Sequence, residues 1–466
     1  MENKITEQGL RYREGLLRQR PIEGRFAPSR REDVDHLESA PPDALDRWAR
    51  DAADALARGE VAFGVLAAGA SSRMDLRALP RDVARMLSAA GRTELPTSKA
   101  LVPVAERAGD VLDFLDLFLI DVRRVIEATG ARGPVVLFVS ETNRSEIAAR
   151  LEATGRRGIE RDRVWMFEQP LEPTMIATEA DARRAAVHFP PERLDDVLAV
   201  SRARAGEPLP GRKPAGHGEF LHQLIASGTL SRLIERGVRY LSLRNIDNFA
   251  ARLDRRWLAA LGMSRELAGR MLVEVSQRPT GQKGGALVRR GDRWMLAEDP
   301  SFAGTPHRAS DSYYINNAVA VVRLDYFEPI YETTADELVA ASRDAHRGSE
   351  RLAEIARRGR LKFPTLIEAK PFALDDGSLV AAVLPETNLW ESTGIDGAEG
   401  LVPLAVDSDQ DAGPDLLEQP EPEQERRAER VRFSPTKNWS DYEDARKRRI
   451  ARTLVDRILA GEALPP

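Results

Sequence analysis

The chain has 466 residues, and 69 Lys and Arg against 74 Asp and Glu leave a formal charge of −5. That balance argues against an extended basic groove for nucleic acid or an anionic membrane, so any anion site has to be local. Cysteine is absent, which excludes disulfides, thiolate metal sites and a cysteine nucleophile together and fits a reducing compartment, with the cytoplasm as the expectation.

The N-terminal stretch MENKITEQGLRYREGLLRQR has no apolar core followed by a small-residue cleavage site, and no apolar run approaches the roughly 20 residues that span a bilayer. No membrane partner is expected. Residues 1–58 are charged and helix-prone, and Leu45, Trp48, Ala52 and Leu56 recur at helical spacing as an amphipathic cap requires. The texture then changes to VAFGVLAAGASSRM, an apolar β-prone run that empties into small residues at Gly69, as a buried strand leading into a loop does. VLDFLDLFLIDVRRVIEATG predicts a helix closed by Gly130, PVVLFVS a second buried strand, and SEIAARLEATG a helix closed by Gly155. RVWMFEQ, RYLSLRNID, MLVEVSQ and AVAVVRL follow as strands at intervals that leave room for crossover helices. The expected fold is therefore α/β, a mixed, mostly parallel sheet with helices on both faces, plus an N-terminal helical region and small C-terminal additions.

The expected division is a helical region at 1–58, a catalytic domain at 59–404, an acidic mobile insertion at 405–430, and a last segment at 431–466. The insertion is predicted because VDSDQDAGPDLLEQPEPEQERRAER is acidic, proline-bearing and free of aromatics. In the final helix Ile450, Leu454 and Ile458 form one stripe for docking.

Within LAAGASSRM, the small residues Ala68, Gly69 and Ala70 let backbone N–H groups approach an anion, and Arg73 adds a positive fork. Downstream, Lys99 in SKALVPV stands where an ammonium reaches a phosphate as a point charge. A tight turn explains the loop equally well when it is taken alone. Together the two segments resemble the signature of sugar-nucleotide and related nucleotidyltransferases, in which the loop reads LAGG or LAAG, then a small residue, then Arg, with Pro-Lys downstream. Ser71 and Ser98 depart from that pattern and leave the nucleotide open.

Further motifs follow in a fixed order: FEQP, KPAGHGEF, NIDN, EVSQRPTGQKGG, YYINNAV and RFSPTKN. Over most of residues 61–440 they resemble the eukaryotic-type UDP-sugar pyrophosphorylase family, which includes UTP-glucose-1-phosphate uridylyltransferases and UDP-N-acetylglucosamine pyrophosphorylases. The resemblance implies a Rossmann-like nucleotidyltransferase that joins UTP to a sugar 1-phosphate with Mg2+ and releases pyrophosphate. Gln169, followed by Pro170, offers a donor and an acceptor to the edge of uracil. Gly216 and Gly218 flank His217 and permit close approach to a ligand, and His217 has the chemistry to donate to phosphate or ribose. Asp247 ends a strand where open α/β sheets bind ligands, and one carboxylate suffices for magnesium when substrate phosphates complete the shell. Helix capping by Asp247 or Asn248 is the competing reading.

By resemblance, Glu274, Asn316 and Asn317 face the sugar, Asp247 holds the metal, and Lys437 joins Arg73 and Lys99 at the phosphates. Which of the two asparagines points inward is open, because neighbouring strand residues face opposite ways. In LPETNLWESTG, Thr393 stands where the family carries a lysine, and Lys370 is one replacement. Two alternatives remain: a transferase of the same fold with another nucleotide or acceptor, and a regulator that binds a nucleotide-sugar without turnover. The identity of the sugar and the oligomeric state are not legible.

Overall fold

The structure of the protein, a computed structural model, describes residues 5–17, 22, 24–69, 79–92, 96, 98–107, 109–267, 269–282 and 284–461. Its centre is a ten-stranded sheet. The strands that matter for the site are β1 (Val61–Leu66), β2 (Val135–Ser140), β3 (Val164–Gln169), β4 (Tyr240–Asn245), β5 (Met271–Gln277), β6 (Ala286–Arg290), β7 (Arg293–Ala297), β8 (Tyr314–Arg323) and β9 (Leu401–Ala405). β1 pairs in parallel with β2 and β4, β2 with β3, and β5 with β9. β8 runs antiparallel to β4, β5 and β6, so it reverses direction inside a mostly parallel sheet.

Parallel strands are covered on both faces, and the sequence of β1 reflects it: all six residues are buried. Val61, Phe63 and Val65 enter one core, beneath helices α1 (Pro42–Ala57), α2 (Phe114–Thr129), α4 (Arg255–Glu266) and α5 (Ala445–Ala460). Ala62 and Leu66 enter the other, beneath α3 (Glu219–Ala226) and the segments that carry Phe327, Tyr331 and Phe363. The period of two along each strand thus builds two separate cores, one on each side of the sheet. The expected α/β architecture with helices on both faces is what the chain adopts.

A smaller four-stranded sheet, from Leu171–Ile176, Pro208–Pro214, Ala369–Ala373 and Leu379–Val383, stands beside the main one with its own core around Met175, Val197 and Ala381. The short helix Glu7–Arg13 docks on this lobe, where the Tyr12 hydroxyl donates to the carboxylate of Asp181. The Leu45, Trp48, Ala52 and Leu56 stripe packs α1 on the main body, and the Ile450, Leu454 and Ile458 stripe seats α5 there as expected.

Two expectations need correction. Residues 111–113, read as helix, are the end of a strand in a small hairpin (Asp110–Asp113), because the Asp113 side chain accepts from the Asp116 N–H and starts α2 at Phe114. The segment 405–430, read as a mobile insertion, is folded: Ala412, Leu416 and Ala428 are buried in the core beneath α5, and its polar surface is tied by Arg427 to Asp415 and Arg430 to Asp407. A few apolar residues suffice to seat a segment whose composition is otherwise that of a solvated chain.

The α1–α4 packing depends on a glycine. A Cβ on Gly262 would lie 2.0 Å from the carbonyl oxygen of Trp48, which is backbone and cannot rotate away. Gly262→Ala should therefore force the helices apart and lower stability by about 2–3 kcal/mol, read as a lower urea midpoint at unchanged m-value.

Candidate active site

The loops that leave the carboxyl ends of the parallel strands converge on one side of the sheet. After β1, the Ala67 N–H donates to the Phe138 carbonyl (2.9 Å) and its own carbonyl accepts from Asn143 Nδ2 (2.8 Å), so the exit of the chain toward Ala68 and Gly69 is fixed by β2 and the turn beyond it. Ala70 and Arg73 lie outside the described residues. Beside this exit the Ile246 N–H donates to the Leu66 carbonyl (3.2 Å), which sets the turn that carries Asp247. Lys99 opens a one-turn helix, and its Nζ lies 2.9 Å from Oδ2 of Asp247. Ser98, where the related pattern has proline, is buried and caps that turn by accepting from the Ala100 N–H (3.2 Å).

Lys437 arrives from the other end of the chain. The Thr436 N–H donates to the Asp247 carbonyl (3.2 Å), and the Lys437 N–H donates to Asp441 (2.9 Å). Five residues before Lys437, the fully buried Arg432 donates through Nε (3.0 Å) and Nη2 (2.7 Å) to one oxygen of Glu274, and through Nη1 to Asp254 (2.8 Å). Burial alone would lower the pKa of this guanidinium, but Glu274 and Asp254 raise it further than burial lowers it. Asn248 completes the clamp, donating to the Arg432 carbonyl (3.3 Å) and accepting from the Ser434 N–H (3.3 Å). Glu274 is thus 2% exposed and engaged by Arg432, in place of the sugar-facing position expected for it.

On the opposite flank, Gln169 ends β3, and its Nε2 donates to the Gly216 carbonyl. The glycines of the GHG turn meet the chain itself: a Cβ on Gly216 (φ +88°) would lie 2.6 Å from the Thr387 carbonyl, and one on Gly218 would lie 2.5 Å from the Thr387 Oγ. Close approach was the right reason for these glycines, but the surface approached is the strand Glu386–Thr387. Pro170 turns the chain from β3 into the small lobe. His217 Nδ1 accepts from the Leu389 N–H (3.1 Å), so Nε2 carries the proton. Burial pushes its pKa down to about 4, so the ring is a neutral donor at physiological pH.

The other expected sugar contacts separate. β8 bulges against β5 between Val273 and Val275, with Ala318 at φ 57°, and this re-aims the two asparagines. Asn317 is buried and accepts from Ser276 Oγ (2.8 Å). Asn316 lies beside Gly285, whose Cβ, were it present, would be 3.1 Å from Oε1 of Glu298. Sequence reasoning missed Glu298, which accepts from Asn388 Nδ2 (2.9 Å) and feels the charge of Lys437. Asn388 sits within LPETNLWESTG and also caps the following turn by accepting from the Trp390 N–H (2.9 Å). An acidic residue ending a β-strand is too common a pattern to have singled out Glu298.

Behind Glu298, the buried carboxyl of Glu391 accepts from its N–H (3.1 Å) and from Ser301. Thr393 accepts from the Leu296 N–H (2.8 Å) and donates to the Trp390 carbonyl (2.7 Å). Thr393 is therefore a buried fastening and brings no cation. Lys370 does not replace one here: it is exposed on the small sheet and pairs with Glu368 at 2.9 Å. Among the described residues there is no cluster of three or more His, Asp or Glu side chains able to hold a metal.

Residues 92–313 match the family model described as UTP–glucose-1-phosphate uridylyltransferase. Over that stretch, a little under half of the chain, the sequence is similar to that family. A UTP–glucose-1-phosphate uridylyltransferase of Encephalitozoon cuniculi is 34% identical over 111 residues, 24% of this chain and 21% of that protein. One of Astragalus penduliflorus is 27% identical over 195 residues, 41% of this chain and 35% of that protein. The matched region thus spans about a fifth to a third of these relatives. Among solved structures, the UDP-N-acetylglucosamine pyrophosphorylase of Trypanosoma brucei in complex with inhibitor aligns with a TM-score of 0.58 at 16% identity, over 97% of this chain and 75% of that one. The UDP-glucose phosphorylase of the same organism gives 0.55 at 18%, over 94% and 73%. At such identity the likeness is one of fold, and it is the pyrophosphorylase fold that this chain carries.

Removing Arg432 leaves two buried carboxylates without their cation. Arg432→Ala and Glu274→Ala should each cost about 3–5 kcal/mol in urea unfolding, and the double variant clearly less than the sum. A second prediction concerns Glu391, whose pKa burial raises to about 7 from the usual 4.5. The folded state then holds more protons than the unfolded state between about pH 4.5 and 7, so this group's contribution to stability is lost as pH rises through that window. Glu391→Gln should flatten that part of the stability profile, a change on the order of 3 kcal/mol at two to three pKa units.

Proposed function

We propose that the protein is a uridylyltransferase that forms a UDP-sugar and pyrophosphate from UTP and a hexose 1-phosphate, such as glucose 1-phosphate or N-acetylglucosamine 1-phosphate. The observation that carries this reading is the meeting of three distant segments at the carboxyl edge of the sheet, where Lys99 pairs with Asp247 and Thr436 binds the Asp247 backbone. A cation, a carboxylate and a second lysine beside a strand-to-loop exit form the charge set that a triphosphate requires.

The reaction is an in-line displacement in which a phosphate oxygen of the sugar 1-phosphate attacks the α-phosphorus of UTP and pyrophosphate leaves. The attacker is already an anion, so no general base is needed, and the protein's work is alignment and charge neutralisation. Lys99 and Lys437 supply positive charge to the phosphates from opposite ends of the chain, and Arg73 adds to them from the loop. Gln169, buried at the end of β3, offers uracil its amide, and the neutral His217 offers an Nε2–H. Asn316, Asn388 and Glu298 stand at the sugar end, where one acceptor and two amides match a ring of hydroxyls. Asp247 fits Mg2+ as a single carboxylate whose shell substrate phosphates and water would complete, and its present partner is itself a cation. When bound, the ion supplies further neutralisation at the departing phosphates.

Pyrophosphate release from UTP, CTP, GTP and ATP with Mg2+ and a set of sugar 1-phosphates tests the reading. UTP should lead. Asp247→Ala should abolish Mg-dependent turnover, and Lys99→Ala should lower kcat/KM for UTP by about a hundredfold or more, the loss of one charge-assisted contact to the transition state. No pyrophosphate with any pair of substrates, while UDP-sugar still binds, would identify a non-catalytic binder instead.

A further inference from the structure

A cavity of about 1020 Å3 opens at the loop that follows β5 and is lined by Asp299, the residue after Glu298. It is bounded by the loop leaving β5, by the turns that follow Asp299, and by the chain entering the sheet at Ser29. Four arginines line it: Arg30, Arg31, Arg278 and Arg308. Elsewhere on this surface arginines are mostly paired with carboxylates, but among the described residues no ion pair joins any of these four to an acid. Arg278 is the inner one. Its Nη1 and Nη2 donate to the carbonyls of Gln282 (3.0 Å) and Gly284 (3.2 Å), and its Nε is buried with no partner. Burial lowers its pKa, only partly offset by the charges of Asp299 and Glu298.

Three carboxylates share the wall, and each is turned to local use or stands apart. Asp311 caps its own turn by accepting from the Arg308 N–H (2.8 Å) and lies 4.0 Å from His307. Glu32 lies in the first turn of a one-turn helix, and Asp299 occupies the same position in another. Arg278, partly buried, and the exposed Arg30, Arg31 and Arg308 thus bring four guanidiniums to one opening, where a multiply charged oxyanion can take forked hydrogen bonds from more than one of them.

We propose that this cavity is an oxyanion subsite that takes a carboxylate or phosphate carried on the acceptor sugar, away from the reacting 1-phosphate. The placement supports the acceptor as the source: Arg278 follows β5 directly, Asp299 follows Glu298, and Tyr313 precedes the strand that bears Asn316. The inference rests on the uridylyl-transfer reading and replaces the neutral hexose 1-phosphates named there with acceptors that carry a second anionic group.

The test measures pyrophosphate release with UTP and three acceptors: glucose 1-phosphate, glucuronic acid 1-phosphate and glucose 1,6-bisphosphate. It uses the full chain, the Arg30→Gln/Arg308→Gln variant and the Arg30→Lys/Arg308→Lys variant, with calorimetric binding of inorganic phosphate as a second readout. Both altered residues are exposed, so the fold does not depend on them. The expected result is a kcat/KM for one of the anionic acceptors at least about tenfold above the neutral one, lost in the Gln variant and partly restored in the Lys variant, as one charge-assisted contact implies. Equal or better use of glucose 1-phosphate, unchanged by the Gln substitutions, overturns the proposal while leaving uridylyl transfer intact. Phosphate binding that depends on the arginines without any acceptor preference also overturns it, and assigns the anion to a free effector. No turnover with any acceptor, with arginine-dependent phosphate binding retained, defeats the transfer reading and leaves the oxyanion site standing.

Discussion

The arrangement of the site depends on one buried cation. Arg432 lies between β5 and the loop after β4, with its guanidinium divided between Glu274 and Asp254 and its backbone held by Asn248. Burying a full charge is costly unless every donor is used, and a buried ion pair is seldom a gain over well-packed apolar side chains. Its value here is geometric. The segment 431–438 crosses the sheet with little regular structure of its own, and without a directional anchor nothing in it would define where Lys437 stands. The fork fixes that segment at one point, and the Thr436 bond to the Asp247 carbonyl fixes it at a second. Glu274 matters through this anchor, and a role at a distance is consistent with its burial.

The same economy recurs at the sugar end. The turn Leu389–Gly394 fastens the end of β7 from behind, with Thr393 on the Leu296 N–H and Glu391 on the Glu298 N–H. Asn388, at the start of that turn, holds the Glu298 side chain from the front. The next residue, Leu389, donates its N–H to His217, so a single short turn orients both Glu298 and His217, the groups proposed for the sugar and the nucleotide.

The main strands were legible because a parallel strand covered on both faces reads as an unbroken apolar run, as in VAFGVL and PVVLFVS. Asp247 and Gln169 drew notice in the sequence because each stands where such a run stops, and Lys99 because it stands where one begins. Glu298 was not, since a carboxylate after RWMLA has the same pattern as any surface turn, and its importance lies in Asn388 and Lys437, which approach from far along the chain. The contact of Glu274 with Arg432 was not legible for a related reason: position on a strand gives the face of a side chain, and the partner that reaches it from far along the chain cannot be inferred from β5. The segment 405–430 was misread because its composition is that of a solvated chain and few apolar residues, Ala405, Val406, Ala412, Leu416 and Ala428 among them, carry its docking.

The Lys99–Asp247 pair gives the resting site a simple electrostatic logic. Both side chains are mostly covered, at 14% and 13% exposure, so the attraction within the pair is set against the cost of desolvating both charges. An uncompensated lysine and carboxylate facing a cleft would each seek another partner, and the pair holds both within reach of the strand ends until a triphosphate arrives. On the proposed chemistry the exchange is matched: phosphate oxygens take the ammonium, and the cation that accompanies them takes the carboxylate. Each charge of the resting pair would then meet an opposite charge in the bound state, and neither group has to travel across the sheet to perform its part.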